Sequence, residues 1–305
     1  MVLSHFVESQ QLDKVTIFEI FDMADKFRNG GDYSKLLAGK VLATLFYEPS
    51  TRTRLSFEAA MLKLGGNVIS TENAKEFSSA IKGETLEDSV RVISSYVDAI
   101  VMRHHEDGSA KIASSVSKVP IINAGDGKGQ HPTQSLIDIY TIYKEISRLK
   151  NLKIAIVGDL ASGRTARSLC YLLGKFPGNE VIFVSPEHLK MKDDIKEYLV
   201  KHEVKFVEES NLDKVIPEVD IVYMTRVQKE RITLDEYERA KGKYVINSSN
   251  FNLVKLNTRI LHPLPKVDEI NLPIEVEEKD LRVAYFRQAG NGLYIRMALL
   301  VHLMK

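Results

Sequence analysis

The chain is predicted to be α/β, with two domains each built on a parallel sheet. Short apolar runs of strand length alternate with longer runs of helical periodicity, the pattern of parallel strands joined by crossover helices. A length of 305 residues suits two domains of ordinary size, and a hydrophobic content of 44% supplies a core to each. The strand–helix series also starts afresh at Lys153–Asp159 (KIAIVGD), after an amphipathic helix, Ser135–Arg148, that joins the halves.

The elements follow in order. Residues 11–28 carry a helical stripe from Leu12 through Ile17, Phe21 and Ala24 to Phe27. Val41–Phe46 (VLATLF) reads as a buried parallel strand, and Pro49, which has no amide hydrogen, stops the pairing. Ser50 is placed to cap a helix that runs to Leu64 and closes at Gly65-Gly66. Asn67–Thr71 is a short strand, Glu72–Glu84 a polar, mobile loop, and Thr85–Tyr96 a helix. Asp98–Arg103 and Val119–Ala124 complete the first series. In the second half the strands are Glu180–Ser185, Lys205–Val207, Asp220–Thr225, Tyr244–Asn247 and Thr258–Leu261. Lys190–Glu203 is a solvated helix face, Thr233 and Glu236 form a capping box, and the last segment, Gln288–Met304, forms an apolar helix over Leu293–Leu303.

Composition narrows the function. A net charge of +1 leaves no global field to draw in nucleic acid or membrane, so any anion site is local. The single Cys170, in the apolar run SLCYLL, excludes an internal disulfide and reads as a buried, inert thiol. The start MVLSHFVES lacks a signal pattern, and no run reaches membrane-spanning length; the expectation is a soluble, cytoplasmic protein.

Ligands of parallel sheets sit at the carboxyl ends of the strands, where this chain places its polar residues. Ser50, Thr51, Arg52 and Thr53 put three hydroxyls and a guanidinium around the positive end of a helix dipole, an anion site suited to phosphate. Arg54 points elsewhere and pairs with Glu58. Arg103 ends a strand. His131 and Gln134 are three apart beside Pro132 at the start of a helix, so they share a face. His104, His105 and Glu106 suggest a metal, but adjacent histidines on extended chain point apart. Gly158–Thr165 allows two readings: a P-loop with Arg for Lys, or a helix start from which Arg164 offers its planar fork to a carboxylate. No GxGxxG and no magnesium-binding strand accompany it. Arg226, Gln228 and Arg231 lie in a polar loop, and the prolines of His262-Pro263-Leu264-Pro265 leave carbonyls able to accept hydrogen bonds.

Eight motifs, in order, resemble the carbamoyltransferase family: FYEPSTRTRLSFE, SSAIKGETLEDS, VMRH, GDGKGQHPTQ, VGDLASGRT, YMTRVQKER, LHPLPKVDEI and YFRQAGNGLY. They span residues 46–294. HPLP in place of HCLP, and TRVQ in place of an SMG-type loop, resemble the members that use aspartate rather than ornithine. Ala80, Ile81 and Lys266 depart from the usual pattern.

The resemblance implies two doubly wound domains with the active site in the cleft between them. Residues 1–134, with a C-terminal helix 289–305 packing back, would bind carbamoyl phosphate, and 135–288 would bind aspartate. It implies transfer of a carbamoyl group to aspartate's amine, toward pyrimidines, without metal or organic cofactor. Ser50, Thr51, Arg52, Thr53 and Arg103 match the phosphate cradle, and His131 with Thr53 the donors to the carbonyl oxygen. Gln134 and the carbonyls of Pro263 and Leu264 match the acceptors for the carbamoyl nitrogen. Arg164, Arg226 and Gln228 match the clamp on aspartate. Ser78 and Lys82 match residues given by a neighbouring subunit, which implies a homotrimer with shared sites. Whether separate regulatory chains bind is left open.

Overall fold

The computed structural model describes residues 3–72, 74, 82–229 and 232–305. Within it the chain divides into two units, Met1–Leu136 with Asn291–Lys305, and Ile137–Gly290.

The first unit holds the strands β1 (Val41–Phe46), β2 (Asn67–Glu72), β3 (Ala99–His104) and β4 (Ile121–Asp126). All pairs are parallel, in the order β2-β1-β3-β4. Leu42, Ala43, Thr44 and Phe46 of β1 are fully buried, so burial on both faces explains its unbroken apolar run. Phe6 extends the sheet beyond β4: its amide donates to Ile121 O and its carbonyl accepts from Asn123 N. The strand order reverses beside β1, with β2 on one side and β3 on the other. Strand ends at such a reversal leave a crevice that ligands occupy.

The helices of this unit begin with α1 (Lys14–Arg28), capped by Asp13, whose carboxylate accepts from Thr16 N. Then come α2 (Thr51–Lys63), α3 (Leu86–Ile93) and α4 (Ser109–Val116). The stripe Thr53, Phe57, Ala60 and Met61 buries one side of α2, at roughly 1.5–3 kcal/mol for each large apolar side chain. The chain leaves α2 through Gly65 at φ 82°, where a Cβ would sit 1.6 Å from Ser34 O. No counterpart of α4 was readable in the sequence. Its run SAKIASSV carries two alanines as its buried apolar residues, too little for a visible stripe.

The boundary between units falls inside two helices, α5 (Pro132–Ile146) and the last one, Tyr285–Met304. The second unit continues with β5 (Lys153–Val157), α6 (Arg164–Leu173), β6 (Glu180–Val184), α7 (Asp193–Lys201) and β7 (Lys205–Glu209). The short α8 (Leu212–Val215) leads to β8 (Ile221–Met224), α9 (Leu234–Ala240), β9 (Ile246–Asn247) and β10 (Arg259–Leu261). β11 (Ile270–Asn271), α10 (Ile274–Lys279) and α11 (Tyr285–Met304) close the chain. The main sheet is parallel, in the order β10-β8-β5-β6-β7, and its order reverses beside β5. The expected strand Tyr244–Asn247 shrinks to two residues, which pair with β11 in a separate ribbon instead of joining that sheet. Thr233 and Glu236 form the expected reciprocal capping box at α9. Among the described residues no helix is long and apolar enough to cross a membrane.

Candidate active site

In the first unit the reversal beside β1 gathers the phosphate candidates. The loop after β1 leads to Ser50 and into α2, and β3 carries Arg103 alongside. The Arg103 guanidinium donates to Ser50 Oγ at 2.8 Å and to Glu48 Oε2 at 3.2 Å. The expected cap is therefore corrected. Ser50 occupies the N-cap position, but its hydroxyl makes no bond to the first turn of α2. It is engaged by Arg103, a partner distant in sequence and a stronger one than a backbone amide. Thr53 is buried in the first turn, and Thr51 and Arg52 are exposed. Arg54 is directed away, with Glu58 at 3.1 Å and Glu72 at 2.9 Å.

The other strand ends of this sheet are tied to each other. Asp126 at the end of β4 accepts from Gly108 N and Gln130 N, and Gly127 N donates to His104 O. These bonds hold the segment that delivers His131, which is buried with Thr133 Oγ1 at 3.2 Å from its Nδ1. Gln134 follows one turn on, half-buried, its amide donating to His131 O. His104 and His105 do not point apart. Their rings stack at 4.3 Å, because the chain leaves the strand at His104 and alternation ends there. His104 Nδ1 accepts from Glu106 N and lies 2.8 Å from Ser109 Oγ. Burial first, and then His105, push its pKa down, which favours neutral imidazole. Among the described residues no cluster of His, Cys, Asp and Glu is disposed to hold a metal ion. Lys82 stands exposed shortly before α3. Ser78, Ala80 and Ile81, with most of the Glu72–Glu84 stretch, lie outside the described residues, as does Arg231.

In the second unit the reversal beside β5 gathers the amino-acid candidates. Arg164 is the first residue of α6 and is buried. Gln228, from the loop after β8, donates from Nε2 to Ser162 O at 3.0 Å, which brings that loop onto the start of α6. Thr225 joins the same strand ends from both its amide and its hydroxyl, each donating to Val157 O. Gly158, at φ 117°, lets them close: a Cβ there would lie 2.2 Å from Thr225 O. Arg226 sits half-buried between Thr225 and Gln228, and it lines a cavity with Lys229, Tyr237, Lys241 and Tyr244.

Pro263 and Leu264 follow β10, which pairs with β8 in that sheet. The residues that hold this loop escaped the sequence reading. His262 is buried, its Nδ1 accepts from Leu264 N at 2.7 Å, and its Nε2 lies 2.7 Å from Glu269 Oε1. Burial would raise the Glu269 pKa, but His262 and the backbone amides that donate to the carboxylate, Val267 N among them, together outweigh it and hold the carboxyl below its ordinary range. Gln288 accepts from His262 N at 2.8 Å and donates to Asp138 at 2.6 Å. Tyr223 OH donates to the other Asp138 oxygen at 2.8 Å. Burial, reinforced by Asp138, pushes the Tyr223 phenol well above its usual pKa, so it stays a donor. The available signal was Asp138, an acidic residue standing inside the apolar run Leu136–Tyr140. Lys266 is paired with Glu277 at 2.6 Å.

Two sequence models of one family match consecutive parts of the chain. The model described as "Aspartate/ornithine carbamoyltransferase, carbamoyl-P binding domain" matches residues 4–144, and the one described as "Asp/Orn binding domain" matches residues 150–303. The chain is 53% identical over 303 residues to the chloroplastic aspartate carbamoyltransferase of Arabidopsis thaliana, covering 98% of this chain and 77% of that protein. It is 48% identical over 308 residues to the aspartate carbamoyltransferase catalytic subunit of Methanocaldococcus jannaschii, covering 99% and 98%. Among solved structures, the M. jannaschii catalytic subunit aligns with a TM-score of 0.88 at 47% identity over 99% of this chain and 98% of that one. The Trypanosoma cruzi aspartate transcarbamoylase in complex with N-(phosphonacetyl)-L-aspartic acid aligns with a TM-score of 0.91 at 36% identity over 100% and 97%. On its sequence and its pair of parallel sheets, the chain belongs to the aspartate/ornithine carbamoyltransferase family.

Proposed function

We propose that this chain transfers the carbamoyl group of carbamoyl phosphate to the amine of L-aspartate, giving N-carbamoyl-L-aspartate and phosphate in pyrimidine synthesis. One observation carries the reading. The candidates for the phosphate stand where one sheet reverses its order, and the candidates for the amino acid stand where the other does. Ser50, Thr51, Arg52, Thr53 and Arg103 hold the phosphate, and Arg164, Arg226 and Gln228 hold aspartate's carboxylates. His131 and Thr53 donate to the carbonyl oxygen. Gln134 and the carbonyls of Pro263 and Leu264 accept from the carbamoyl nitrogen.

Both substrates are polyanions, and the arginines offset their repulsion. The unprotonated amine attacks the carbamoyl carbon, a C–N bond forms, and negative charge moves to the carbonyl oxygen. The bond from carbon to the phosphate oxygen then breaks, and the departing phosphate takes up the amine's proton. Rate comes from orientation and from donors to the oxyanion, each contributing about 3–4 kcal/mol. No side chain acts as a covalent nucleophile, and no metal or organic cofactor enters this scheme.

Lys82 and Ser78 complete the site of a neighbouring copy in a homotrimer. Leu55 and Leu62, seven apart on α2, and Ile69 on β2 are exposed apolar residues of the first unit that support association. A cytoplasmic location fits a lone, buried cysteine. The name of the M. jannaschii relative marks it as a catalytic subunit, and co-purification tests whether a regulatory chain binds here. Purified protein assayed with carbamoyl phosphate and either aspartate or ornithine tests the reaction. Carbamoyl-aspartate is expected; carbamoylation of ornithine alone, or of neither, would refute the assignment.

A further inference from the structure

His262 lies in the second unit among groups that the proposed chemistry does not use. Its ring is held on two sides. Nδ1 accepts from Leu264 N at 2.7 Å, so the ring proton resides on Nε2, which donates to Glu269 Oε1 at 2.7 Å. Its backbone amide is fixed by Gln288, which Asp138 holds in turn. Leu264 sits at φ 57°, a left-handed conformation that a leucine rarely adopts without support. The bond from its own amide to His262 Nδ1 closes a turn of two residues around Pro263. That turn aims the carbonyls of Pro263 and Leu264.

We infer that His262, oriented by Glu269, is a positioning residue that sets the Pro263 and Leu264 carbonyls to recognise the amide nitrogen of the transferred group. This deepens the proposed function and rests on those two carbonyls being the acceptors. The ligand feature read by His262 is an –NH2 beside the carbonyl that is attacked. A donor with –CH3 in that place leaves the aimed carbonyls unpaired, which disfavours it by roughly ten- to a hundredfold.

The probes are carbamoyl phosphate and acetyl phosphate, with inorganic phosphate as the control. Each is measured as a dissociation constant on the whole purified protein. Two polar variants divide the ring between them. His262→Asn can place its oxygen where Nδ1 stands and accept from Leu264 N, as in an Asx turn, but does not reach Glu269. His262→Gln reaches toward Glu269 and loses the bond to Leu264. Wild type is expected to prefer carbamoyl over acetyl phosphate by about tenfold or more, His262→Asn to keep that preference within about threefold, and His262→Gln to lose most of it. Inorganic phosphate should bind all three alike, which a general loosening of the structure would not produce. A wild type without preference would refute the role of the carbonyls themselves. A preference retained in His262→Gln, or lost in His262→Asn, would overturn the role of His262 alone. Should His262→Gln not fold, His262→Leu, whose branched side chain fills the space and accepts no hydrogen bond, takes its place: loss of the preference is expected, and its retention would overturn the role of His262.

Discussion

Ser50 illustrates how one side chain is reassigned by a neighbour that lies far away in sequence. A serine before a helix ordinarily accepts from the first-turn amides, and its replacement by alanine costs about 1 kcal/mol. Here the hydroxyl receives the Arg103 guanidinium instead. Ser50→Ala should therefore cost about 1 kcal/mol in denaturant melts through the lost bond to Arg103, a cost that disappears in an Arg103→Met background, while weakening phosphate inhibition by roughly tenfold. The same cost in both backgrounds, with phosphate binding untouched, would contradict the reassignment. His262 and Glu269 belong to the same class: each is unremarkable in sequence, and each acquires its meaning from a partner.

At the scale of elements, the turn after β5 shows what close approach demands. Gly158 adopts φ 117°, and its missing Cβ leaves room for the Thr225 carbonyl. Gly158→Ala should cost about 2–3 kcal/mol, from strain and steric overlap together, and should raise the KM for aspartate by displacing the loop of Arg226 and Gln228. Chemical denaturation and steady-state kinetics check the two parts separately. The central strands of both main sheets were legible because burial on two faces writes them as largely apolar runs, VLATLF and KIAIV among them. Helix α4 was not, since alanines and serines leave no stripe, and neither was β11, a strand of two residues. Candidates for the site were readable where polar residues end a strand or begin a helix, as at Ser50–Thr53, Arg103 and Arg164, and in the polar loop of Gln228. What could not be read was the distant partner that each side chain meets, as Gln228 meets Ser162 and His262 meets Leu264. Local pattern fixes where an element ends, and pairing across the sequence decides what its side chains then hold.

At the scale of the molecule, the second unit is closed by charge where the chain enters and leaves it. Glu145 near the end of α5 accepts from Arg287 on α11, at 2.7 and 2.9 Å, and from Arg259 on β10 at 2.9 Å. Burial would raise the Glu145 pKa, but the two guanidinium groups outweigh it and lower it. A lowered folded pKa gives stability that is complete above the ordinary glutamate range and lost as pH falls through the folded value. Glu145→Gln should destabilise by about 3 kcal/mol at neutral pH. The gap from wild type should hold above the ordinary glutamate pKa of about 4.3 and close as pH falls from there through the lower folded value. Equal gaps at every pH would argue against the carboxylate as the cause. Site sharing makes its own prediction at this scale. Arg52→Ala and Lys82→Ala chains should each lose orders of magnitude in turnover. Mixed under conditions that exchange subunits, they should recover part of it, because on the proposed assembly hybrid trimers would contain intact sites. No recovery after proven exchange would exclude sharing.

The engagement of Ser50 with Arg103 has a thermodynamic consequence for α2. On the proposed assignment its first turn is finished by the bound phosphate rather than by its own cap, so occupancy and order become linked quantities. Added inorganic phosphate should slow deuterium uptake at the amides of Arg52 and Thr53 while leaving the far end of the helix, near Leu62, unchanged. The substrate would thus act as the missing piece of a secondary structure, and the enzyme would be most completely folded at the moment it works.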